Sequence, residues 1–309
     1  MQRSGEHSTA GSGRGVLALV LASLLWGTTG TSASFLPSDV SPLAVGASTM
    51  GIGGLLLFLV SARASVGVLR DRVSRRWVAL GAIGVFVYPL AFYAGMDLAG
   101  VAVGNVVALG SGPVFAALIE WIVERRGLSA RWAGSTGIAV LGIVLLTLGR
   151  RPDAGAAPTA TLAGVGLGLL AGLAYALYTY SSSRAIGTGR PSRGVMGAMF
   201  GLGALLLLPV LALTGTPLLQ SGLTVGIAGY LALGPMFVAY LLFGVGLRTV
   251  RSSAATTITL LEPVVATVLA VLVVGERLDP IGWVGLALVL LGLLVLVTAR
   301  RAPELAERL

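Results

Sequence analysis

The chain contains no cysteine and no lysine, and its single histidine, His7, lies in a polar N-terminal stretch. Without cysteine there is no disulfide, no thiol nucleophile and no thiolate metal site. There is no histidine cluster, no metal-ligand spacing and no acid paired with a nucleophile at membrane depth, so a membrane-embedded enzyme is poorly served. No cofactor is expected. Charge is scarce as well, since Asp, Glu, Lys and Arg together make up 11% of the chain. The polar segments are short, which speaks against a receptor or structural protein built around a soluble domain.

Apolar residues and glycine fill the space left by these absences. Hydrophobic residues make up 56%, there are 45 glycines, and mean hydropathy is +0.94, values that a water-soluble globular domain does not reach. Lipid is therefore the main solvent, and glycine has a use there because it lets transmembrane helices approach closely. The net charge of +9 does not indicate nucleic acid, because its arginines are spaced between apolar runs rather than gathered on one face.

Crossing the hydrocarbon core takes roughly 20 apolar residues as a helix. Ten stretches approach that length: 15–36, 42–61, 77–98, 101–123, 132–149, 162–183, 194–214, 223–247, 254–274 and 281–299. The third and fourth are separated only by Gly100. The first is too long, and too much a part of the repeat below, for a cleaved signal peptide. If the N-terminus is cytoplasmic, 18 of the 21 arginines fall in cytoplasmic segments, leaving Arg150, Arg151 and Arg277 on the other side. This bias predicts a multi-pass protein of the plasma (cytoplasmic) membrane with both termini inside.

The second half repeats the first. Residues 15–26 align with 164–175, so that Ala22 meets Ala171 and Trp26 meets Tyr175; Pro113 meets Pro263, and Trp132-Ala133-Gly134 meets Trp283-Val284-Gly285. The organisation expected is an N-terminal tail (1–14), a five-helix repeat (15–150), an external linker (151–160), a second repeat (161–300) and a C-terminal tail (301–309). Five is odd, so the second copy enters the membrane inverted. The fold class expected is thus all-α integral membrane, ten transmembrane helices in two inverted five-helix repeats. Pro113 and Pro263 each remove a helical N–H, leaving the carbonyls of Leu109 and Thr259 without their usual partner. Matched helix breaks mark a site, or else merely bend the helices for packing.

Several motifs carry a family likeness. Leu261-Glu262-Pro263-Val264, Gly275-Glu276-Arg277-Leu278 and Ile281-Gly282-Trp283-Val284-Gly285, with Ala22-Ser23-Leu24-Leu25-Trp26-Gly27 and residues 101–113 in the first half, resemble EamA-type members of the drug/metabolite transporter superfamily. The resemblance implies a ten-helix basket with a central cavity lined mainly by helices 1, 3, 4, 6, 8 and 9, helices 5 and 10 lying outside. It also implies transport of amino acids and related metabolites, often outward. The first half departs at Ser111-Gly112, which stand where the second half has Leu261-Glu262.

Candidate site residues follow from cost. A carboxylate at the centre of a membrane helix costs about 2.5–3.5 kcal/mol on insertion scales. Glu262 lies roughly 12 Å into its span at 1.5 Å per residue, too deep to snorkel easily. It either serves the substrate site and couples transport to protons, or has a structural role in which it satisfies the backbone freed by Pro263 or pairs with an arginine. Glu120 reads as an interfacial anchor, Asp97 as a cap for the turn at Gly100, and Glu276 and Asp279 as shaping the turn into the last helix. Helical spacing places Trp26 and Thr29 on one face and Tyr175 and Tyr178 on the matching face of the second repeat, 149 residues on. Tyr88, Tyr93, Asn105, Ser111, Met236 and Tyr240 are further candidates for a substrate site, and each of these side chains also has a plain packing role open to it. Gly164, Gly166 and Gly168 lie within a span and are no phosphate loop. Glycines 134, 137 and 142, and 282, 285 and 292, read as close-packing faces within the chain or across a homodimer. The function expected is a secondary transporter without an ATP site, exporting amino acids or related small metabolites by alternating access.

Overall fold

A computed structural model describes residues 6–125, 130–149, 158–246, 258–259 and 261–299. The backbone is helical, with no strand element among the described residues. Apolar sequence and local capping together explain where the helices begin and end. The first apolar stretch is α1 (Glu6–Gly27) followed by the short α2 (Thr29–Ala33). In α3 (Pro42–Val60), Pro42 stands in the first turn, where no N–H is needed, and the Ser41 hydroxyl accepts from Ala44 N–H at 3.2 Å. A short α4 (Ala62–Arg70) precedes α5 (Arg72–Ala99), whose first turn is capped by Asp71 accepting from Ser74 N–H at 2.9 Å. Gly100, at φ 86°, makes the reversal into α6 (Val101–Glu124); a side chain would be strained there, so this single glycine does separate two long helices.

After α6 come α7 (Ala130–Leu148), which ends the first half, then α8 (Pro158–Ile186), α9 (Ser192–Thr214) and α10 (Gly222–Leu231), started by a reciprocal Ser221–Thr224 capping box. A π-helical segment at Ala232–Val238, with Pro235 inside it, joins α10 to α11 (Ala239–Gly246). Next come α12 (Leu261–Leu269), a second π segment at Ala270–Val274 ended by Gly275 at φ 83°, and α13 (Pro280–Ala299). Among the described residues, seven helices are long and apolar enough to cross a membrane, with α1 and α2 taken as one and α10 to α11 as one, and three shorter apolar helices accompany them at Ala133–Leu148, Leu261–Val274 and Pro280–Gly292. Four features differ from the sequence expectation: the interruption at Thr28, the extra α4, the early start of α8 at Pro158, and the π segments. Among the described residues, α6 is helical through position 113, and Pro263 is buried in the first turn of α12. Residues 254–257 of the ninth stretch, and the side chains of Pro113 and Trp132, lie outside the described residues.

Helix packing determines where a site can form. α5 packs on α8 and α9, α3 on α9 and on the first π segment, α6 on α8 and α12, and α1 on α11 and α12. α7 and α13 pack on each other and on α6. Close approach needs missing side chains: a Cβ on Gly84 would stand 2.6 Å from the Ala174 carbonyl, and one on Gly142 would stand 2.6 Å from the Gly285 carbonyl. Gly142, Gly282, Gly285 and Gly292 are thus used within the chain, while Gly134 and Gly137 face open space. The segments around Asp71, Glu124 and Arg184 to Arg190 meet at one end of the bundle. There Arg190 reaches Asp71 at 3.3 Å, Arg184 reaches Glu124 at 3.3 Å and lies 5.4 Å over the Trp77 ring, and Ser74 hydrogen-bonds Thr188 at 2.8 Å.

Candidate functional site

Aromatic rings from five helices meet in the middle of the bundle. On α8, Tyr175 and Tyr178 are three residues apart and their rings are 5.2 Å apart, edge to face, as helical spacing requires. Tyr88 of α5 is 6.0 Å from Tyr175 and 5.9 Å from Tyr178. Tyr178 and Tyr240 place their hydroxyls 3.3 Å apart, and Tyr240 of α11 lies edge-on to Trp26 of α1 at 5.3 Å. Two residues that the sequence did not single out complete the cluster. Phe200 of α9 bridges Tyr178 (5.6 Å) and Tyr240 (5.1 Å), and Phe243 lies 5.6 Å from Trp26. Phe243 could have been found, since it follows Tyr240 by three residues on one helical face. Phe200 had no such signal, because its helix carries no other candidate.

Glu262 borders this cluster. The carbonyl of Glu262 lies 3.2 Å from where a Cβ on Gly27 would stand, next to Trp26, and its carboxyl is within electrostatic reach of Tyr88, Tyr175 and Tyr240. Trp26, Tyr88, Tyr175, Tyr240 and Glu262 are only half-buried although they sit inside the bundle. Inner groups that keep accessible surface are open to a ligand in a way that a packed core is not. No arginine pairs with Glu262 among the described residues; the ion pairs found lie at the arginine-rich end.

The remaining candidates divide. Tyr93 is one step removed, stacked edge-on to Phe92 at 5.5 Å and hydrogen-bonded to Thr49 of α3 at 3.3 Å. Thr29 donates its hydroxyl back to the Trp26 carbonyl, and Ser111 turns to the Ala108 carbonyl at 3.4 Å. Met236 is buried against Gly53 of α3. Gly112 meets the Tyr175 ring, where a Cβ would stand 2.7 Å from Cδ1. Asn105 is fully buried, and neither of its side-chain polar atoms has a partner among the described residues. Glu276 does more than shape its own turn: its two carboxyl oxygens accept from Val101 N–H at 2.5 Å and Ala102 N–H at 3.1 Å, the free donors at the start of α6.

These features describe a polytopic helical membrane protein whose inner helices bring aromatic rings and a carboxylate together, and the family comparison agrees with a membrane protein of this kind. The model of the EamA-like transporter family matches the chain twice, at residues 13–148 and 162–298, and the chain belongs to that family. It is a multi-pass membrane transporter. Among similar proteins, a Bacillus subtilis (strain 168) protein named uncharacterized transporter YwfM is 35% identical over 298 residues, covering 94% of this chain and 96% of that one. Uncharacterized transporter YyaM of the same strain is 23% identical, covering 91% and 93%. A solved crystal structure superposes with a TM-score of 0.63 at 23% identity, over 95% of this chain and 98% of the other, a likeness of fold alone.

Proposed function

We propose that the protein is a secondary exporter of amino acids or related small amphipathic metabolites, working by alternating access in the plasma membrane with both termini cytoplasmic. The observation that carries this reading is a carboxylate, Glu262, with no paired arginine among the described residues, set beside rings drawn from both family repeats. Rings offer apolar area and π faces to an amphipathic body, and the carboxylate offers a place for an ammonium group or a proton.

The ten-span inverted organisation is supported by the packing pattern. Numbering the apolar stretches one to ten and exchanging each with the stretch five places on turns the α5–α8 contact into α11–α1. The same exchange turns α6–α8 into α12–α1, and α5–α9 into the contact of the first π segment with α3; all of these contacts exist. The pairs α3–α9, α6–α12 and α7–α13 map onto themselves and also exist. A two-fold axis between the repeats requires such a pattern, and two equivalent halves can exchange conformations around a shared site. Glu262 then couples transport by exchanging a proton against substrate. Gly134 and Gly137, facing open space on α7, offer a face to a second copy of the chain.

The test is uptake of a pool of labelled amino acids into proteoliposomes, with and without an imposed pH gradient, for the wild type and Glu262→Gln. Saturable, gradient-driven uptake that loses its gradient dependence in the variant supports the proposal. Absence of amino-acid uptake under either gradient would sink it.

A further inference from the structure

Three arginines stand where a helix least favours positive charge. Arg72, Arg75 and Arg76 fall within the first five residues of α5, at the positive end of the helix dipole. All three are exposed, and none has a carboxylate partner among the described residues. The neighbouring acid is already committed: one Asp71 oxygen accepts from Ser74 N–H at 2.9 Å, and the other meets Arg190 at 3.3 Å. No other acid occurs between residues 40 and 96. The excess of arginine on one side of a membrane accounts for their presence at this end of the helix. It does not account for their arrangement.

Positions 72, 75 and 76 are spaced i, i+3 and i+4, so they share one face of α5. Continued into the membrane, the same face carries Ala79, Leu80 and Ile83, all exposed, with Leu80 at 38% and Ile83 at 51%. The opposite face, with Ser74, Val78, Gly81 and Val85, is buried. It is covered by α8 and α9: Gly81 meets Ser181 and Met199, and Val85 meets Gly203. One outward face of a spanning helix therefore changes from apolar to cationic without a break. Its apolar part meets acyl chains, and the arginines in line with it reach the headgroup layer beside the bundle. Arg184 is different, because it is turned inward to Glu124 and the Trp77 ring.

We propose that this face binds an anionic phospholipid of the adjoining leaflet, with its headgroup phosphate on Arg72, Arg75 and Arg76 and an acyl chain along Ala79, Leu80 and Ile83. Guanidinium groups suit phosphate because their planar forks donate pairs of hydrogen bonds. Basic side chains at a membrane surface favour anionic over zwitterionic lipid. A bound anion also offsets the cost of three cations at the positive end of α5. The helix end is not itself the site, since Asp71 already caps it. The assignment is independent of what the protein transports.

The test is native mass spectrometry of the full chain in detergent, after incubation with equal amounts of dioleoyl phosphatidylglycerol and dioleoyl phosphatidylcholine. These lipids share their chains and differ in headgroup charge. The wild type should carry phosphatidylglycerol over phosphatidylcholine by about tenfold. The triple variant Arg72→Gln, Arg75→Gln, Arg76→Gln should bring that ratio to about one, and the matching triple lysine variant should keep it at about threefold or more. Replacing Arg14, Arg63 and Arg193 by glutamine removes the same charge elsewhere and should leave the ratio as in the wild type. A wild type without preference, or equal loss in the two glutamine triples, would overturn the site. Excess glycerol 3-phosphate, a headgroup without chains, should not displace the lipid; displacement would overturn the chain contact along α5.

Discussion

Two helix seams that correspond under the five-helix exchange are packed differently. Along α5–α8, glycines are pressed against backbone from end to end: Gly84 against Ala174 and Tyr178, and Gly95 against Gly164 and Gly168, with the Cβ sites of each only 2.6–3.1 Å from main-chain atoms. Along α1–α10–α11, contact is tight at Gly246, which meets Leu19 and the Gly15 carbonyl, whereas Gly222, Gly226, Gly229 and Gly244 meet nothing within 4 Å. Grooves of about 250 and 280 Å³ open on this seam, one lined by Ser32, Phe35, Ile227 and Tyr230, the other by Leu21, Leu24, Leu25, Thr28 and Leu242. A hydrogen bond of 2.7 Å between the Thr28 and Tyr230 hydroxyls crosses it. Equivalent topology therefore does not impose equivalent packing. The seam with room to move is the one that carries Trp26, Tyr240 and the interruption at Thr28.

The comparison is sharpest for alanine substitution, which should have opposite signs on the two seams. Gly84→Ala puts a methyl against a carbonyl that cannot step aside, and overpacking of this kind costs about 1–3 kcal/mol. Gly229→Ala meets no neighbour and gains the better helix propensity of alanine, about 0.5–1 kcal/mol. Thermal melts in one detergent should show Gly84→Ala below the wild type and Gly229→Ala at or above it. Equal shifts would mean that the seams are packed alike.

The contrast could not have been read from the sequence, where both seams are simply apolar and rich in glycine. Hydropathy locates helices because burying backbone in lipid demands them, and Gly100 was legible as a turn because two full-length stretches adjoin it. The interruption at Thr28 and the π segment containing Pro235 depend on what each helix meets, which periodicity does not report. The site was half legible for the same reason. Trp26, Tyr175 and Tyr178 shared matched faces on the two repeats, but Phe200 enters from α9 by packing alone. The partner of Glu276 is 175 residues away, beyond any local pattern.

That long-range cap offers the next test, because it fastens the second half to α6 at the end of the bundle opposite the Arg184–Glu124 and Arg190–Asp71 pairs, close to where α2 meets α6 and α12. Glu276→Ala removes the acceptor for two free helix donors and a negative charge from the positive end of the α6 dipole, a loss of about 1 kcal/mol. The melt should fall, by less than for Gly84→Ala. Glu276→Gln keeps one acceptor oxygen and should fall between Ala and wild type. If neither variant shifts the melt, the contact does not fasten the halves.

Asp71 provides the smallest effect and belongs to the other end, where it fastens α5 of the tight seam to the segment after α8. The Asp71 carboxyl is held below its ordinary 3.8, first by hydrogen bonding to the Ser74 hydroxyl and backbone N–H, then by Arg190. A lowered acid stabilises the fold in its charged form, so the contribution is complete above pH 3.8 and drains away as pH falls below that value through the lowered one. Asparagine caps helices about as well as aspartate, so Asp71→Asn isolates the charge from the cap. The melt of Asp71→Asn should lie slightly below the wild type at neutral pH, with the gap closing as the solution is acidified past 3.8. High salt should narrow the same gap, because the site is exposed and the Arg190 attraction is screened. A gap that stays constant with pH would place the stabilisation in the shape of the cap rather than in its charge.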